Sequence, residues 1–365
     1  MHTHANQNLI RLWPGGGRSP SLLAKASVLF FFLLTGCRPA SGERTVTLMT
    51  HDSFAVGEAV LQEFEDAVGA KVVVLESGDA GAALNKAILT KQAPLADVFY
   101  GVDNTFLTRA LQEGIFEAYD SPLLAAVPAE YRLDPENRAL PVDYGDVCIN
   151  YDRDWFSSRG VAVPQTLEDL PKPEYKGLLA VENPYTSSPG LAFLLATVAH
   201  FGPEDFKEYW KSLKDNGIAV VDGWETAYYT NFSASSGKGP QPMVVSYATS
   251  PAFEYIYADP PRPEPPTASL IGPGMCFRQI EFTGILAGTS NRALAEKLVD
   301  FLLGTAFQED LPMQMAMFPV NPQAAVPEAF TRFAPLAEQP AVLAPGEISA
   351  HREEWMEAWK AVMLP

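Results

Sequence analysis

Residues 45–100, TVTLMTHDSFAVGEAVLQEFEDAVGAKVVVLESGDAGAALNKAILTKQAPLADVFY, decide the fold class. Thr45 to Thr50 alternates, with Val46 and Leu48 on one face, and this predicts a strand. Gly57 to Val68 places Val60, Leu61, Phe64 and Val68 on one face of a helix, and Gly69 stops it. Lys71 to Leu75 is a short β-branched run, as expected of a buried parallel strand. Ala80 to Lys91 reads as helix again and Asp97 to Tyr100 as strand. Strands that alternate with helices predict an α/β fold with a parallel sheet.

A second series follows from about Val147. Leu178 to Val181, Ile218 to Val221 and Met243 to Tyr247 read as buried strands. Leu191 to Ala199 reads as a helix after Ser187-Ser188-Pro189-Gly190, with Ser188 placed to cap it and Pro189 in its first turn. Asp259 to Thr267 carries too many prolines for helix or central strand and is expected to be an exposed loop. Phe277 to Leu286 returns to strand. Ala293 to Leu303 is an amphipathic helix, and a tryptophan-bearing helix at about Ala350 to Met363 closes the chain.

Upstream of this pattern lies a leader. Arg11, Arg18 and Lys25 precede an apolar run that ends in Phe30-Phe31-Phe32-Leu33-Leu34, followed by Thr35-Gly36-Cys37. The run is too short to span a bilayer comfortably and is followed by small residues, as in a secretion signal. A cysteine directly after Leu-Thr-Gly resembles the bacterial lipobox, in which the thiol is acylated and becomes the new N-terminus. The other reading is an ordinary signal peptide with an incidental cysteine. Residues 1–36 are expected to be removed, with 37–44 as a tether that lipid chains hold to a membrane surface.

The 365 residues carry 44 acidic and 26 basic side chains, three of the latter in the leader. Such an excess excludes a nucleic-acid partner, whose phosphates require a basic footprint. It favours solubility and is compatible with a cationic ligand. Beyond Cys37 only Cys148 and Cys276 remain. Outside the cell these two either pair or stay separate buried thiols.

Chemistry-bearing motifs are scarce. There is no dinucleotide or phosphate-cradling glycine loop, no His-Glu-x-x-His, no Cys-x-x-Cys and no Gly-x-Ser-x-Gly. Only His51, His200 and His351 follow the leader, too few for a histidine-rich metal site. Neither a cofactor nor catalysis is expected. What the chain offers is polar and aromatic residues at predicted strand-to-helix turns: His51-Asp52-Ser53, Gly78-Asp79-Ala80, Asp103-Asn104, Thr186-Ser187-Ser188, Gly223-Trp224 and Tyr247-Ala248-Thr249-Ser250-Pro251. In open α/β sheets ligands bind at the carboxyl ends of strands, where helix N-termini present free N–H groups.

Taken in order, these segments resemble the thiamine-binding proteins of bacterial ABC importers over nearly the whole chain after the leader. The matching runs include Thr50-His51-Asp52-Ser53-Phe54, Glu76-Ser77-Gly78-Asp79, Gly101-Val102-Asp103-Asn104 and Pro141-Val142-Asp143-Tyr144-Gly145. Tyr185 to Leu191, Gly223-Trp224-Glu225, Ser246 to Ala252 and Phe318-Pro319-Val320 continue the series. The resemblance implies a two-lobed type II periplasmic-binding fold: an α/β protein with crossover strands and a ligand cleft between its lobes. The lobes would comprise residues 45–143 with 275–365, and 144–274. It implies thiamine or a thiamine phosphate as ligand, a permease and an ATPase as partners, and a monomer. Trp224 and Tyr247 would supply aromatic faces to the flat cation, Asp79 the charge, and Ser187 and Ser188 hydroxyl contacts. Ala80, Ala248, Thr249, Ser250, Pro251 and His51 complete the expected contact set.

Two positions depart from the family, which often has tyrosine at His51 and tryptophan near Ala316. His51 can still stack on a ring, and Met315 or Met317 can pack against one. Protonation of His51 would then oppose a cation and weaken binding below about pH 6. Two other functions compete. Adjacent tyrosines in iron-binding relatives suggest ferric iron at Tyr228-Tyr229, inside a predicted helix. Thiamine-degrading enzymes of this fold suggest Cys148 as a nucleophile.

Overall fold

The computed structural model describes residues 44–234 and 238–364. The leader, Cys37 and most of the tether lie outside the described residues.

The alternation read from residues 45–100 forms one end of a continuous mixed sheet. Its strands are β1 (Thr45–Thr50), β2 (Lys71–Glu76), β3 (Val98–Asp103), β4 (Phe116–Glu117), β5 (Leu140–Asp152) and β6 (Leu179–Glu182). β7 (Ala219–Val221), β8 (Met243–Tyr247), β9 (Thr267–Leu270), β10 (Phe277–Leu286) and β11 (Phe318–Pro319) complete it. The principal order is β2-β1-β3-β10-β5-β8-β6-β7. β2, β1 and β3 run parallel at one end, and β8, β6 and β7 run parallel at the other. Between them the long strands β5 and β10 pair antiparallel to each other and to their neighbours. β5 changes partner at Val147: up to there it pairs with β10, and from there it pairs with β8. One strand thus belongs to both ends of the sheet.

The helices are α1 (Glu58–Val68), α2 (Ala80–Leu89), α3 (Leu107–Gln112), α4 (Arg153–Arg159) and α5 (Ser188–Asp215). They continue with α6 (Ser250–Ile256), α7 (Arg292–Leu303), α8 (Thr305–Gln314), α9 (Glu328–Phe333) and α10 (Pro345–Met363). Gly69 ends α1 at φ 62°, the left-handed geometry that the sequence pattern anticipates. β3 shows how the strand period serves two cores. Val98 and Tyr100 face a cluster with Val46, Leu48, Leu298 and Phe307, while Phe99 faces another with Leu84, Phe106 and Leu194; a bulge at Gly101 breaks the alternation and turns Val102 to the Phe99 side. α10 packs on α5, where Trp359 meets Trp210 edge-on at 5.8 Å.

Three local expectations are corrected. β2 is an edge strand rather than a buried one: Val73 and Val74 are 47% and 37% exposed. A β-branched run satisfies a covered edge and a central position alike, so the pattern does not separate them. The helix after Pro189 runs on to Asp215 across a kink at Gly202. Its N-cap is Ser187, while Ser188 already lies in the first turn and bonds its hydroxyl to Asp103. Gly190 is required there, because a Cβ would sit 2.5 Å from the Glu182 carbonyl oxygen of β6. Cys148 and Cys276, at the meeting of β5 and β10, are joined by a disulfide with Cα atoms 4.3 Å apart.

Trp210 is fully buried, donates its indole N–H to Thr197 at 2.8 Å and meets both Phe193 and Trp359. Trp210→Ala is expected to lower the unfolding free energy by about 3–5 kcal/mol, read by urea denaturation. A loss under about 1 kcal/mol would show that the α5–α10 contact does not hold the core together.

Candidate ligand-binding cleft

Five of the six turns singled out in the sequence contribute to one cavity of about 260 Å³, and Asp103-Asn104 lies outside its lining. His51 to Ala55, after β1, form part of its wall, with Asp79 and Ala80 at the start of α2. From the other end of the sheet come Ser188 and Pro189 of α5, Trp224 and Glu225 after β7, and Tyr247, Ser250 and Phe253 around β8 and α6. Glu281 of β10 lies at the sheet centre, and Gln314 to Met317 close the remaining side. Of the expected contacts, His51, Asp79, Ala80, Ser188, Trp224, Tyr247 and Ser250 line this space. Ser187, Ala248, Thr249 and Pro251 are buried outside the lining.

Asp79 is the most connected of these groups. One carboxylate oxygen accepts from its own helix at the Ala80 N–H (2.6 Å), and the other accepts the Trp224 N–H at 2.9 Å. A local cap and a contact across 145 residues of sequence therefore share one side chain. Burial raises its pKa, hydrogen bonds from Trp224, Ser187 and Ala80 oppose that, and Asp52 adds to the rise; the net direction is upward. Beside it Gly81 donates its N–H to the Thr186 carbonyl at 3.1 Å. A Cβ at Gly81 would lie 2.9 Å from two carbonyl oxygens of Tyr185 and Thr186, so only glycine allows this approach.

Aromatic rings form the opposite wall. Trp224 stacks on Tyr228 at 5.1 Å and 18°, meets Tyr229 edge-on at 5.5 Å, and approaches Tyr247 at 6.3 Å. Its indole N–H is held by Ser246 at 2.9 Å, and the Tyr247 hydroxyl accepts from Gln279 at 3.1 Å. These bonds fix the rings before any ligand enters. Tyr228 and Tyr229 lie in a π-helical turn, Thr226–Asn231, where the sequence predicts ordinary helix.

Beneath the cavity sits a buried acidic group that sequence reading missed. Tyr100 donates to Asp143, and Glu281 stands beside this pair with an oxygen 3.5 Å from the same phenol. Burial, then the Glu281 charge, push Asp143 well above the usual carboxylate range. His51 Nε2 lies 3.6 Å from Glu281 Oε1, a charge contact longer than a hydrogen bond. Burial opposes protonation of His51, but Glu281, Asp79 and Asp52 outweigh it and raise its pKa above 6.5. The pH at which this imidazole charges is therefore higher than the sequence suggests, and its partner is Glu281. The missed signal is legible in retrospect: Gln279, Glu281 and Thr283 place a polar face on a strand whose other face carries Ile280 and Phe282.

Fixed aromatic faces beside converging carboxylates suit a flat cation. The family described as "Bacterial extracellular solute-binding protein" matches residues 93–336. The chain belongs to this family. Among curated relatives of this solute-binding protein, the thiamine-binding periplasmic protein of Brucella suis is 28% identical over 90% of this chain and 96% of its own. A solved periplasmic thiamin binding protein superposes with a TM-score of 0.78 at 26% identity, covering 90% of this chain and 99% of that one. The apo ferric ion-binding protein A of Pasteurella haemolytica shares the fold at 19% identity and a TM-score of 0.69, over 87% and 98% of the two chains. The two-lobed periplasmic-binding architecture is thus established, and the solute-binding protein belongs outside the cytoplasm.

Its buried acids set a direction for stability. Asp103 is raised from 3.8 to about 6, chiefly by burial. Its contribution is fully present below pH 3.8 and is lost as pH rises through about 6. Asp79, Asp143, Glu182 and His51 are raised as well and act in the same sense. Carboxylates shifted downward, such as Asp134 and Glu65, are ionised folded and unfolded alike above pH 5 and do not oppose this. The thermal midpoint is therefore expected to be higher at pH 5 than at pH 8. A flat or rising profile over that range would contradict the assignment.

Proposed function

We propose that the protein captures thiamine in this cleft and delivers it to the permease and ATPase of an ABC importer. The observation that carries the reading is that the Trp224–Tyr228–Tyr247 rings and the Asp79 carboxylate line the same cavity of about 260 Å³. A thiazolium cation on an aminopyrimidine matches both, through ring stacking and charge. The thiamine-binding names of the relatives point the same way. Residues 45–143 with 275–365 form one lobe and 144–274 the other, and the crossover strands β5 and β10 carry the hinge. The Trp224–Asp79 hydrogen bond already joins the two lobes, and opening would part it. The leader is removed, Cys37 is acylated, and a monomer faces the outside from its lipid anchor.

The binding is non-enzymatic. Cys148 is bonded to Cys276, which removes the thiolate that an attack on the ligand would need. Ferric iron fits less well. Tyr228 is stacked on Trp224, and burial holds its phenol well above the ordinary value, against the phenolate that iron requires.

Isothermal titration with thiamine at pH 7 is expected to show one site. Trp224→Ala should weaken binding by about thirtyfold or more, in keeping with an anchoring aromatic residue. Absence of heat with thiamine and with its phosphates would remove the ligand assignment while leaving the fold untouched.

A further inference from the structure

The strand register at the sheet centre sets two carboxylates face to face. Asp143 of β5 stands directly opposite Glu281 of β10, and both are buried. Tyr100 of β3 donates its phenol to Asp143 and lies 3.5 Å from Glu281. The other oxygen of Asp143, Oδ1, has no hydrogen-bond partner among the described residues. On the cavity side His51 Nε2 likewise has none, and it lies 3.6 Å from Glu281. The imidazole is seated against the β3 backbone at Gly101, where a Cβ would sit 2.3 Å from its Cδ2. Glu281 and His51 both line the cavity, so this group touches the space that a ligand would fill.

Among the described residues, the titratable groups that face it are acidic or phenolic. Asp52 and Asp79 act on His51 from the β1 turn and from α2, and Glu225 reaches it from the turn after β7. Asp103 of β3 feels Glu281, and Tyr247 of β8 faces Tyr100. The lining holds neither lysine nor arginine, and Arg278 of β10 is engaged by Asp146 in a two-pronged pair at 2.8 and 2.9 Å. Two opposed carboxylates in a low-dielectric centre need a compensating positive charge. Before a ligand arrives, that charge is a proton. Burial, then Glu281, hold Asp143 well above the ordinary carboxylate range; burial lowers His51, but Glu281, Asp79 and Asp52 together outweigh it.

We propose that this group exchanges a proton for the ligand: the bound cation, seated against Glu281, displaces the proton held among Asp143, Glu281 and His51, and Glu281 joins Asp79 as its counter-ion. One positive charge enters and one leaves to solvent, so the net charge of the cleft floor is unchanged. The proposal rests on the thiamine reading above and deepens it, since a quaternary thiazolium keeps its charge as pH rises while the site gives up its proton. Linkage fixes the sign: affinity rises with pH wherever the free protein holds more protons than the complex.

The test is isothermal titration of the full chain, purified in detergent, with thiamine at pH 7.0 in PIPES and in ACES, buffers whose heats of ionisation differ. The difference in heat is expected to show release of about half a proton or more per thiamine, with affinity about three- to tenfold higher at pH 7.5 than at pH 6.5. Glu281→Gln and Asp143→Asn keep the side-chain shape and remove one carboxylate each. Each is expected to at least about halve the release, and Glu281→Gln to weaken binding at pH 7.5 by about tenfold. Equal heats in the two buffers with an affinity flat in pH would overturn the proposal and leave the thiamine reading standing. Proton uptake would overturn it as well. Release that neither variant diminishes would place the proton outside this group and overturn the assignment. If a variant does not fold, the wild-type comparison of buffers decides alone. No heat in either buffer would remove the ligand reading and this inference together, an outcome distinct from binding without proton release.

Discussion

The structure depends on one carboxylate having two obligations. Asp79 must satisfy the first N–H of its own helix and also receive the backbone of Trp224 from the far end of the sheet. A side chain of another length or charge could meet one of these demands, not both. The Trp224 ring is placed by its backbone, Tyr228 and Ser246 follow the ring, and the aromatic wall inherits its position from that single bond. Gly81, two residues along, permits the close approach that the bond needs.

Acidic groups are stacked in layers below this point. Asp143 and Tyr100 lie innermost, Glu281 and His51 come next, and Asp79, Asp52 and Glu225 face the cavity. Carboxylates so crowded in a low-dielectric centre are poorly solvated, and a cation that enters relieves them. Burial first, and this crowding second, account for the upward shifts of the buried acids and for the price that they exact from the folded chain at neutral pH.

Much of this was legible in sequence because it follows from local rules. The strands and helices of residues 45–100 declare themselves by period, and Gly69 by its left-handed turn. The turn residues that converge on the cleft were identifiable since strand ends and helix starts are where such sites form. Less could be read where several environments satisfy one pattern. The apolar run of β2 does not reveal that, among the described residues, no strand pairs with its outer edge. Ser187 and Ser188 are both competent caps, and the choice between them is made by Asp103, far away in sequence. Glu281 was hidden inside a strand assigned for its apolar residues, although its neighbours Gln279 and Thr283 marked a polar face.

The bond between Cys148 and Cys276 spans 128 residues and encloses one whole end of the sheet. Loop closure of that size trims the entropy of the unfolded chain by about 4–5 kcal/mol on the chain-entropy view. It also has a topological result. The proline-rich stretch Asp259–Glu264 lies inside the enclosed ring and on the surface. A single cut there leaves both fragments attached through sulfur, so the nicked protein keeps its covalent continuity and its cleft until a reductant separates the halves.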